Sequence, residues 1–312
     1  MTIQPERAEL TTPDGVRLHV ETTGSADAPV TVLLAHGWTC STRSWHHQLS
    51  GLPQILGESA VRVVAYDHRG HGQSDAAPLG TTRIPQLAED LVAVLDTVVG
   101  DGPVVYAGHS MGGMTLMALA DQRPDLFGSR IAAAVLVSTS SGQTSSRAFG
   151  LPARFDGAAA VLAPRAMNLA GLRMERRQLR RAAQDVVRAD RSAWLRRPAV
   201  RQLVFGRKAD PAEVDILMAD LAGTPGRSFG GFFEAISRHD LEHALEVLAA
   251  IPVEIMHGTR DRLLPPRHGN RMAHLLPSAR LWMYPGAGHM LMQERPRDVT
   301  QRLASLVRKV TP

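Results

Sequence analysis

The residues with the clearest chemical meaning run from Gly108 to Gly112 and read Gly-His-Ser-Met-Gly. They follow an apolar segment typical of a strand and precede a segment with helical spacing, so Ser110 is expected on a sharp strand-to-helix turn. Such a turn holds its central residue in a strained conformation, and the flanking glycines relieve the crowding. The hydroxyl would then project above the sheet at the positive end of a helix. The pattern indicates a serine nucleophile, with a plain Gly-Ser turn as the alternative.

A serine hydroxyl is a weak nucleophile, so a neighbouring base must accept its proton in the transition state. His289 is the candidate base, because it lies on a glycine-rich loop beyond the last predicted strand and imidazole titrates near neutral pH. Asp261, just past the preceding strand, is the candidate carboxylate that orients the imidazole. The order Ser110, Asp261, His289 matches one serine-hydrolase architecture. In the alternative interpretation Asp261 is a loop carboxylate paired with Arg260 or Arg262.

Short apolar segments alternate with helical patterns, which predicts a parallel sheet with crossover helices. The predicted strands are residues 31–35, 61–66, 104–107, 131–137, 253–256 and 281–284. Residues 9–23 alternate around the turn signal Asp14-Gly15 and predict an antiparallel hairpin in front of them. Helices are predicted from Pro85 to Gly100 and over residues 111–122.

The alternation stops between residues 141 and 250, where arginine-rich helical patterns precede Gly/Phe-rich turns over residues 223–233. This segment is interpreted as a mostly helical insertion, a cap, on the carboxyl edge of a core formed by residues 1–140 and 251–312. Its large apolar residues are expected to line an acyl pocket or to form the core of the cap: Phe155, Trp194, Phe205, Phe229, Phe232 and Phe233.

Two further motifs complete a family resemblance. His36-Gly37-Trp38 follows the first parallel strand, and the polar, glycine-rich stretch 67–74 follows the second. Together with the serine turn, and over nearly the whole length, they resemble the α/β-hydrolase fold. The resemblance implies a mostly parallel eight-stranded sheet flanked by helices, with an inserted helical cap. It also implies that the backbone amides of Trp38 and Met111 bind the oxyanion. Residues 67–74 are interpreted as a tight structural loop that shapes the site without taking part in the chemistry.

Ser110 argues against the haloalkane dehalogenases and epoxide hydrolases of this family, which carry aspartate at the turn. The sequence His-Gly-Trp-Thr also departs from the His-Gly-x-Pro pattern common in epoxide hydrolases and perhydrolases. The resemblance therefore implies a carboxylesterase-like hydrolase without a cofactor, which cleaves an ester, lactone or thioester through an acyl-enzyme. Hydrolysis of a carbon–carbon bond, non-hydrolytic cyclase or lyase chemistry, and a ligand receptor using the same pocket stay open.

Two other patterns suggest different chemistry. Residues 239–243 read His-Asp-Leu-Glu-His, the signature of inverted zinc proteases, but no third-ligand motif follows and no metal is expected in the active site. Basic residues dominate from Arg173 to Lys208. They are interpreted as solvated helix faces or, alternatively, as an attraction for an anionic substrate through Arg176, Arg177, Arg180 and Arg181.

The composition excludes several classes of protein. Hydrophobic residues make up 44% of the chain and charged residues 21%, which excludes a disordered or collagen-like chain. The single cysteine, Cys40, excludes an intramolecular disulfide and a thiolate metal cluster. No apolar run approaches the roughly 20 residues that span a bilayer, and neither a secretory signal nor a nucleic-acid-binding module is visible. A cytoplasmic enzyme with a small-molecule substrate is expected, and its oligomeric state is open.

Overall fold

The computed structural model describes residues 4–143, 165–167, 169–175 and 191–311. Its strands are β1 (Glu6–Thr11), β2 (Arg17–Thr23), β3 (Thr31–Ala35), β4 (Arg62–Tyr66), β5 (Val104–His109), β6 (Ile131–Val137), β7 (Val253–Gly258) and β8 (Arg280–Tyr284). They form one eight-stranded sheet in the order β1-β2-β4-β3-β5-β6-β7-β8. The pairs β1–β2 and β2–β4 are antiparallel and the other neighbours are parallel. The predicted mostly parallel sheet is confirmed.

Helices cover both faces of this sheet. They are α1 (His46–Leu56), α2 (Ile84–Val94), α3 (Met111–Gln122), α4 (Arg191–Val204), α5 (Pro211–Gly223), α6 (Gly226–Ser237), α7 (Leu245–Leu248), α8 (Arg267–Leu275), α9 (Leu291–Glu294) and α10 (Pro296–Val310). Helices α2 and α3 pack on the face that receives Leu33, whereas α1 and α10 pack on the face that receives Val32 and Leu34. Because successive strand residues point to opposite faces, a strand covered on both sides is apolar throughout. No helix in the described ranges is both long and apolar enough to cross a membrane.

The predicted hairpin is present, but its connection is longer than the two-residue turn that Asp14-Gly15 suggested. It runs from residue 12 to residue 16, and the amide of Thr12 donates to the carbonyl of Val16 at 2.9 Å. The side chain of Asp14 accepts hydrogen bonds from Thr12 and from Arg69. These contacts hold the turn in a wider form than the dipeptide alone predicts.

The prediction of turns over residues 223–233 was wrong, because α6 begins at Gly226 and continues to Ser237. Glycine disfavours a helix intrinsically, but tertiary packing overrides that preference. A Cβ on Gly231 would lie 2.3 Å from Oγ1 of Thr82, so the glycine lets α6 approach the core closely. Phe232 and Phe233, on the same helix, are both buried. The described part of the segment between β6 and β7 is thus more helical than its composition suggested.

The stretch 67–74, after β4, is locked by buried polar contacts. The Asp67 carboxylate accepts the amide of Thr42 at 2.7 Å. The side chain of Arg69 is fully buried and bonds to both Asp14 and Asp90. A buried charge is tolerated only when it is paired in this way. The stretch therefore ties the hairpin turn and α2 to the region beside the sheet's carboxyl edge.

Several buried histidines give stability a distinct pH dependence. Burial disfavours the charged imidazolium and lowers the pKa of His36, His239 and His268 to about 4 and that of His71 to about 3. In the unfolded chain these groups titrate near 6.5. Between these values the unfolded state binds more protons than the folded state, so stability must fall as the pH falls.

We therefore expect the free energy of unfolding, measured by urea denaturation from pH 7 to pH 4, to begin to fall near pH 6.5 and to fall below about pH 6 by up to about 1.4 kcal/mol per pH unit for each such histidine. The variant His239→Gln removes one of these groups and should make this slope smaller by about 1.4 kcal/mol per pH unit, the contribution of one proton. Stability that is level from pH 7 to pH 4, or an unchanged slope in the variant, would contradict this account.

Candidate active site

Ser110 lies between β5 and α3 at the predicted sharp turn. Its φ of 51° and ψ of −113° place it in a region that non-glycine residues rarely adopt. Its backbone is fixed on both sides, since its amide donates to the Val137 carbonyl at 2.9 Å and its carbonyl accepts from Thr139 Oγ1 at 2.6 Å. A Cβ on Gly112 would lie 2.4 Å from the Ala35 carbonyl oxygen, so glycine is required there. The fold thus holds the strained serine in place.

The two residues whose amides are implied as oxyanion donors lie near this serine, since Trp38 lines the same pocket and Met111 is the next residue in the chain. Met111 is the first residue of α3, and the first amides of a helix have no partner within the helix. Gly37, which precedes Trp38, packs so closely that an added Cβ would lie 3.1 Å from Cβ of Ser110. The indole of Trp38 donates to the carbonyl of Phe229 at 3.1 Å and so ties this loop to α6.

His289 and Asp261 are in direct contact. Nδ1 of His289 lies 2.7 Å from Oδ2 of Asp261, and both residues are buried. The other carboxylate oxygen, Oδ1, accepts the amides of Leu263 and Leu264 at 3.0 and 2.8 Å. Because an ionised carboxylate only accepts, Nδ1 of His289 carries the proton, and Nε2 is left with its lone pair. Ser110 and His289 line the same pocket. The structure therefore brings together all three residues chosen from the sequence.

Sequence reasoning missed the contacts that hold the His289 loop. The amide of His289 donates to the carbonyl of Val204 at 2.7 Å. The carboxylate of Glu294 accepts the amides of Gly206 and Gly288 at 2.8 and 2.9 Å, and burial raises the pKa of Glu294. The residues around Glu294 in the sequence carry no signal of these contacts. These bonds join the loop to the end of α4.

Two further histidines complete the surroundings. His109 Nε2 donates to the carbonyl of His289 at 3.1 Å, and burial holds the pKa of His109 well below its usual value. His257 Nε2 donates to the carbonyl of Leu264 at 2.7 Å and lies 3.5 Å from Oδ2 of Asp261. The imidazole of His109 thus holds the backbone of His289, and that of His257 lies against the Asp261 carboxylate that contacts His289.

The pocket above Ser110 has a volume of about 250 Å³ and an apolar lining. The described residues around it include Met167, Val200, Leu217, Leu221, Phe229 and Phe233. None of the described lining residues is Lys, Arg, Asp or Glu. Of the aromatic candidates, Phe229 and Phe233 line the pocket, whereas Phe205 and Phe232 are buried in the hydrophobic clusters. Phe155 and the side chain of Trp194 fall outside the described residues, as do Arg176, Arg177, Arg180 and Arg181.

The residues of the zinc-protease signature do not share a helix face, contrary to what that interpretation required. His239 follows the end of α6, and Glu242 opens a separate short helical turn. Glu242 pairs with Arg271, and His243 lies 2.8 Å from a carboxylate oxygen of Asp121. Glu242 and His243 each have a partner of their own, so these two residues have an ordinary structural explanation.

The close approach of β7 to the His289 loop offers a sensitive test. A Cβ on Gly258 would lie 2.2 Å from the carbonyl oxygen of Gly288, so Gly258→Ala must displace the loop. A displacement of about 1 Å can cost about 100-fold in rate, and we expect the rate of any reaction at Ser110 that uses His289 to fall by about 10- to 100-fold. Gly223→Ala is the matched control, because nothing lies within 4 Å of its added Cβ. If the folded Gly258→Ala and Gly223→Ala variants were equally active, the reaction would not require the observed position of the His289 loop.

Comparisons with known proteins agree with this architecture. Residues 30–296 match a family described as "alpha/beta hydrolase fold". The chain is 27% identical to a bifunctional esterase/perhydrolase of Acinetobacter calcoaceticus, over 96% of this chain and 99% of that protein. It is 26% identical to a monoacylglycerol lipase of Mycolicibacterium smegmatis, over 93% and 94% of the two chains. The fold of a thermophilic esterase from Thermogutta terrifontis superposes with a TM-score of 0.74 at 22% identity, covering 98% of this chain and 100% of the other. The chain belongs to the α/β-hydrolase fold family.

Proposed function

We propose that this protein is a serine hydrolase that cleaves carboxylic esters with an apolar, uncharged acyl group. The observation that carries the proposal is the 2.7 Å contact between His289 and Asp261 beside a pocket that also contains the strained Ser110. The names of the relatives, an esterase/perhydrolase and a monoacylglycerol lipase, support ester chemistry.

The proposed reaction begins with proton transfer from Oγ of Ser110 to Nε2 of His289 as Oγ attacks the ester carbonyl carbon. The carbonyl oxygen becomes an oxyanion, and the amides of Trp38 and Met111 donate to it. Asp261 holds the imidazole in the required tautomer and stabilises the imidazolium. His289 then gives the proton to the departing alkoxide, which leaves an acyl group on Ser110.

Water completes the cycle. Nε2 of His289 takes a proton from the water as its oxygen attacks the acyl carbonyl, and the same nitrogen returns that proton to Oγ of Ser110 as the carboxylic acid leaves. In both half-reactions, the imidazole of His289 accepts one proton and later releases it. The segment between β6 and β7 is proposed to act as a cap, since Phe229 from α6 lines the pocket.

The lining of the pocket supports an uncharged acyl group. Burying one methylene contributes about 0.8 kcal/mol, so affinity should rise with acyl length until the cavity is filled. A carboxylate placed there would lose its hydration without meeting a cation among the described lining residues. The anionic-substrate alternative from the arginine-rich segment therefore has no support from the described part of the pocket.

A panel of p-nitrophenyl esters with increasing acyl length, paired with acyl groups that end in a carboxylate, tests the proposal. We expect a burst of p-nitrophenol equal to the enzyme concentration, and kcat/KM several-fold higher for the neutral member of each pair. A preference for the carboxylate-bearing esters would contradict the apolar acyl site. Tight binding without turnover would contradict the hydrolase and favour a ligand receptor.

A further inference from the structure

Two histidines at the start of α1 face one carboxylate from α5. Nε2 of His46 and Nε2 of His47 lie 3.3 and 2.9 Å from the same oxygen, Oε1 of Glu213. We propose that His46, His47 and Glu213 form a binding site for a divalent transition-metal ion of the zinc type, which links α1 of the sheet core to α5. None of the three is among the described residues that line the pocket around Ser110, so the site is separate from the proposed chemistry.

The spacing of the donor atoms suits such an ion. Zinc binds imidazole nitrogen and carboxylate oxygen at about 2.0–2.2 Å, which in a tetrahedral site places the ligand atoms roughly 3.3–3.6 Å apart. The donor atoms of the three residues all lie within 4.8 Å of one another. The separation of 3.3 Å between His46 and Glu213 falls in the tetrahedral range, and the separation of 2.9 Å between His47 and Glu213 would have to widen by about 0.4 Å around an ion. Two imidazoles and one carboxylate are a familiar zinc set, with solvent as the fourth ligand.

Hydrogen bonds to two neighbouring residues orient His46 and Glu213. Nδ1 of His46 donates to the carbonyl of Arg43 at 2.9 Å, which directs the Nε2 lone pair toward Glu213. The second oxygen of Glu213 accepts from Nε2 of Gln293, a buried residue, at 2.6 Å. Partners of this kind fix the tautomer and direction of metal ligands. The groups are therefore held in a ligating arrangement rather than meeting by chance on mobile side chains.

The charges also favour a cation between them. With its proton on Nδ1, His46 would present a lone pair to the Glu213 carboxylate, so a proton or a metal ion must lie between the two. The nearby guanidinium of Arg43 points to other partners, the Ile216 carbonyl at 3.2 Å and Asp220 at 3.5 Å.

The site is also accessible. The side chains of His46 and His47 are 39% and 36% exposed, so an ion can enter from solvent. Glu213 is buried and belongs to the first turn of α5. An ion bound there would hold α5 against α1, and binding that favours the folded state raises its stability.

Zinc titration of the full-length protein without a polyhistidine tag, followed by calorimetry and thermal unfolding, tests the site. We expect one zinc ion per chain and, at a free zinc concentration about 100 times Kd, a rise in Tm of about 5 °C. His47→Ala and Glu213→Gln should each weaken zinc binding by about 100-fold or more and abolish the rise. His243→Ala is the matched control, because His243 also meets a carboxylate at 2.8 Å but belongs to no three-ligand group in the described residues. It should bind zinc like the unaltered protein.

Substitution of cobalt(II) gives a second readout, since a tetrahedral site absorbs visible light strongly and His47→Ala should lose that absorption. Absence of stoichiometric zinc binding would overturn the proposal and leave an ion pair between protonated His46 and Glu213. Binding that is equal in His47→Ala, Glu213→Gln and His243→Ala would overturn it as well. Neither readout depends on ester hydrolysis, so the failure of this site and of the proposed activity are distinguishable.

Discussion

Replacing Ser110 with alanine is expected to lower kcat/KM for a p-nitrophenyl ester by at least about 10⁴-fold. Without Oγ there is no nucleophile for the acyl transfer, and only oxyanion binding and substrate positioning are left. The burst of p-nitrophenol should disappear, while substrate affinity measured by equilibrium binding should stay within about an order of magnitude of the original. Stopped-flow and steady-state assays of the purified variant measure both effects.

Ser138 offers a matched control for this substitution. It follows the neighbouring strand β6, is fully buried, and has a positive φ of 46°, as Ser110 has one of 51°. Ser138→Ala should leave kcat/KM within a few-fold of the original value, since Ser138 is not among the described lining residues. More than a tenth of the original activity in Ser110→Ala would contradict the assignment of the nucleophile.

The second large effect is expected from Asp261→Asn, which should lower kcat by about 10³- to 10⁴-fold. The amide oxygen of asparagine can still accept the amides of Leu263 and Leu264, so its NH₂ group would face Nδ1 of His289. That donor favours the tautomer with the proton on Nε2. Nε2 would then be unable to accept the proton of Ser110, although the geometry of the site is unchanged.

Asp125→Asn serves as the control for this second variant, because Asp125 is exposed and pairs only with Arg123 in the described structure. It should keep full activity. Circular dichroism and Tm should show that Asp261→Asn folds normally, so that the loss is chemical. A folded Asp261→Asn variant with activity within about ten-fold of the original would show that His289 does not need this carboxylate.

The parts of the fold predicted best from the sequence are those governed by local pattern. Strands such as β3 and β6 read as continuous apolar runs because both faces of the sheet are covered. Ser110 was recognisable because its turn needs particular small residues at fixed spacing. His289 and Asp261 followed from their positions after the last two strands, since the carboxyl ends of parallel strands share one edge of the sheet.

The parts that sequence reasoning missed depend on contacts between distant segments. Nothing in the neighbourhood of Glu294 indicates that its carboxylate would bind the amides of Gly206 and Gly288. The same holds for Glu213, whose partner His47 lies 166 positions away. In α6 the local signal was misleading, because the glycines that normally favour turns allow this helix to pack closely against Thr82. The pattern of buried and exposed residues along one helix or strand can be predicted from the sequence, but the contacts between distant elements cannot.

Labelling with a fluorophosphonate tests the central claim most directly, because the reagent reacts with a serine whose hydroxyl is activated by a neighbouring base. The account predicts one phosphonyl group per chain, mapped by peptide mass spectrometry to Ser110, and a rate of labelling at least about 100-fold lower in His289→Ala. An adduct on a different residue, or equal labelling rates in the original protein and His289→Ala, would contradict it.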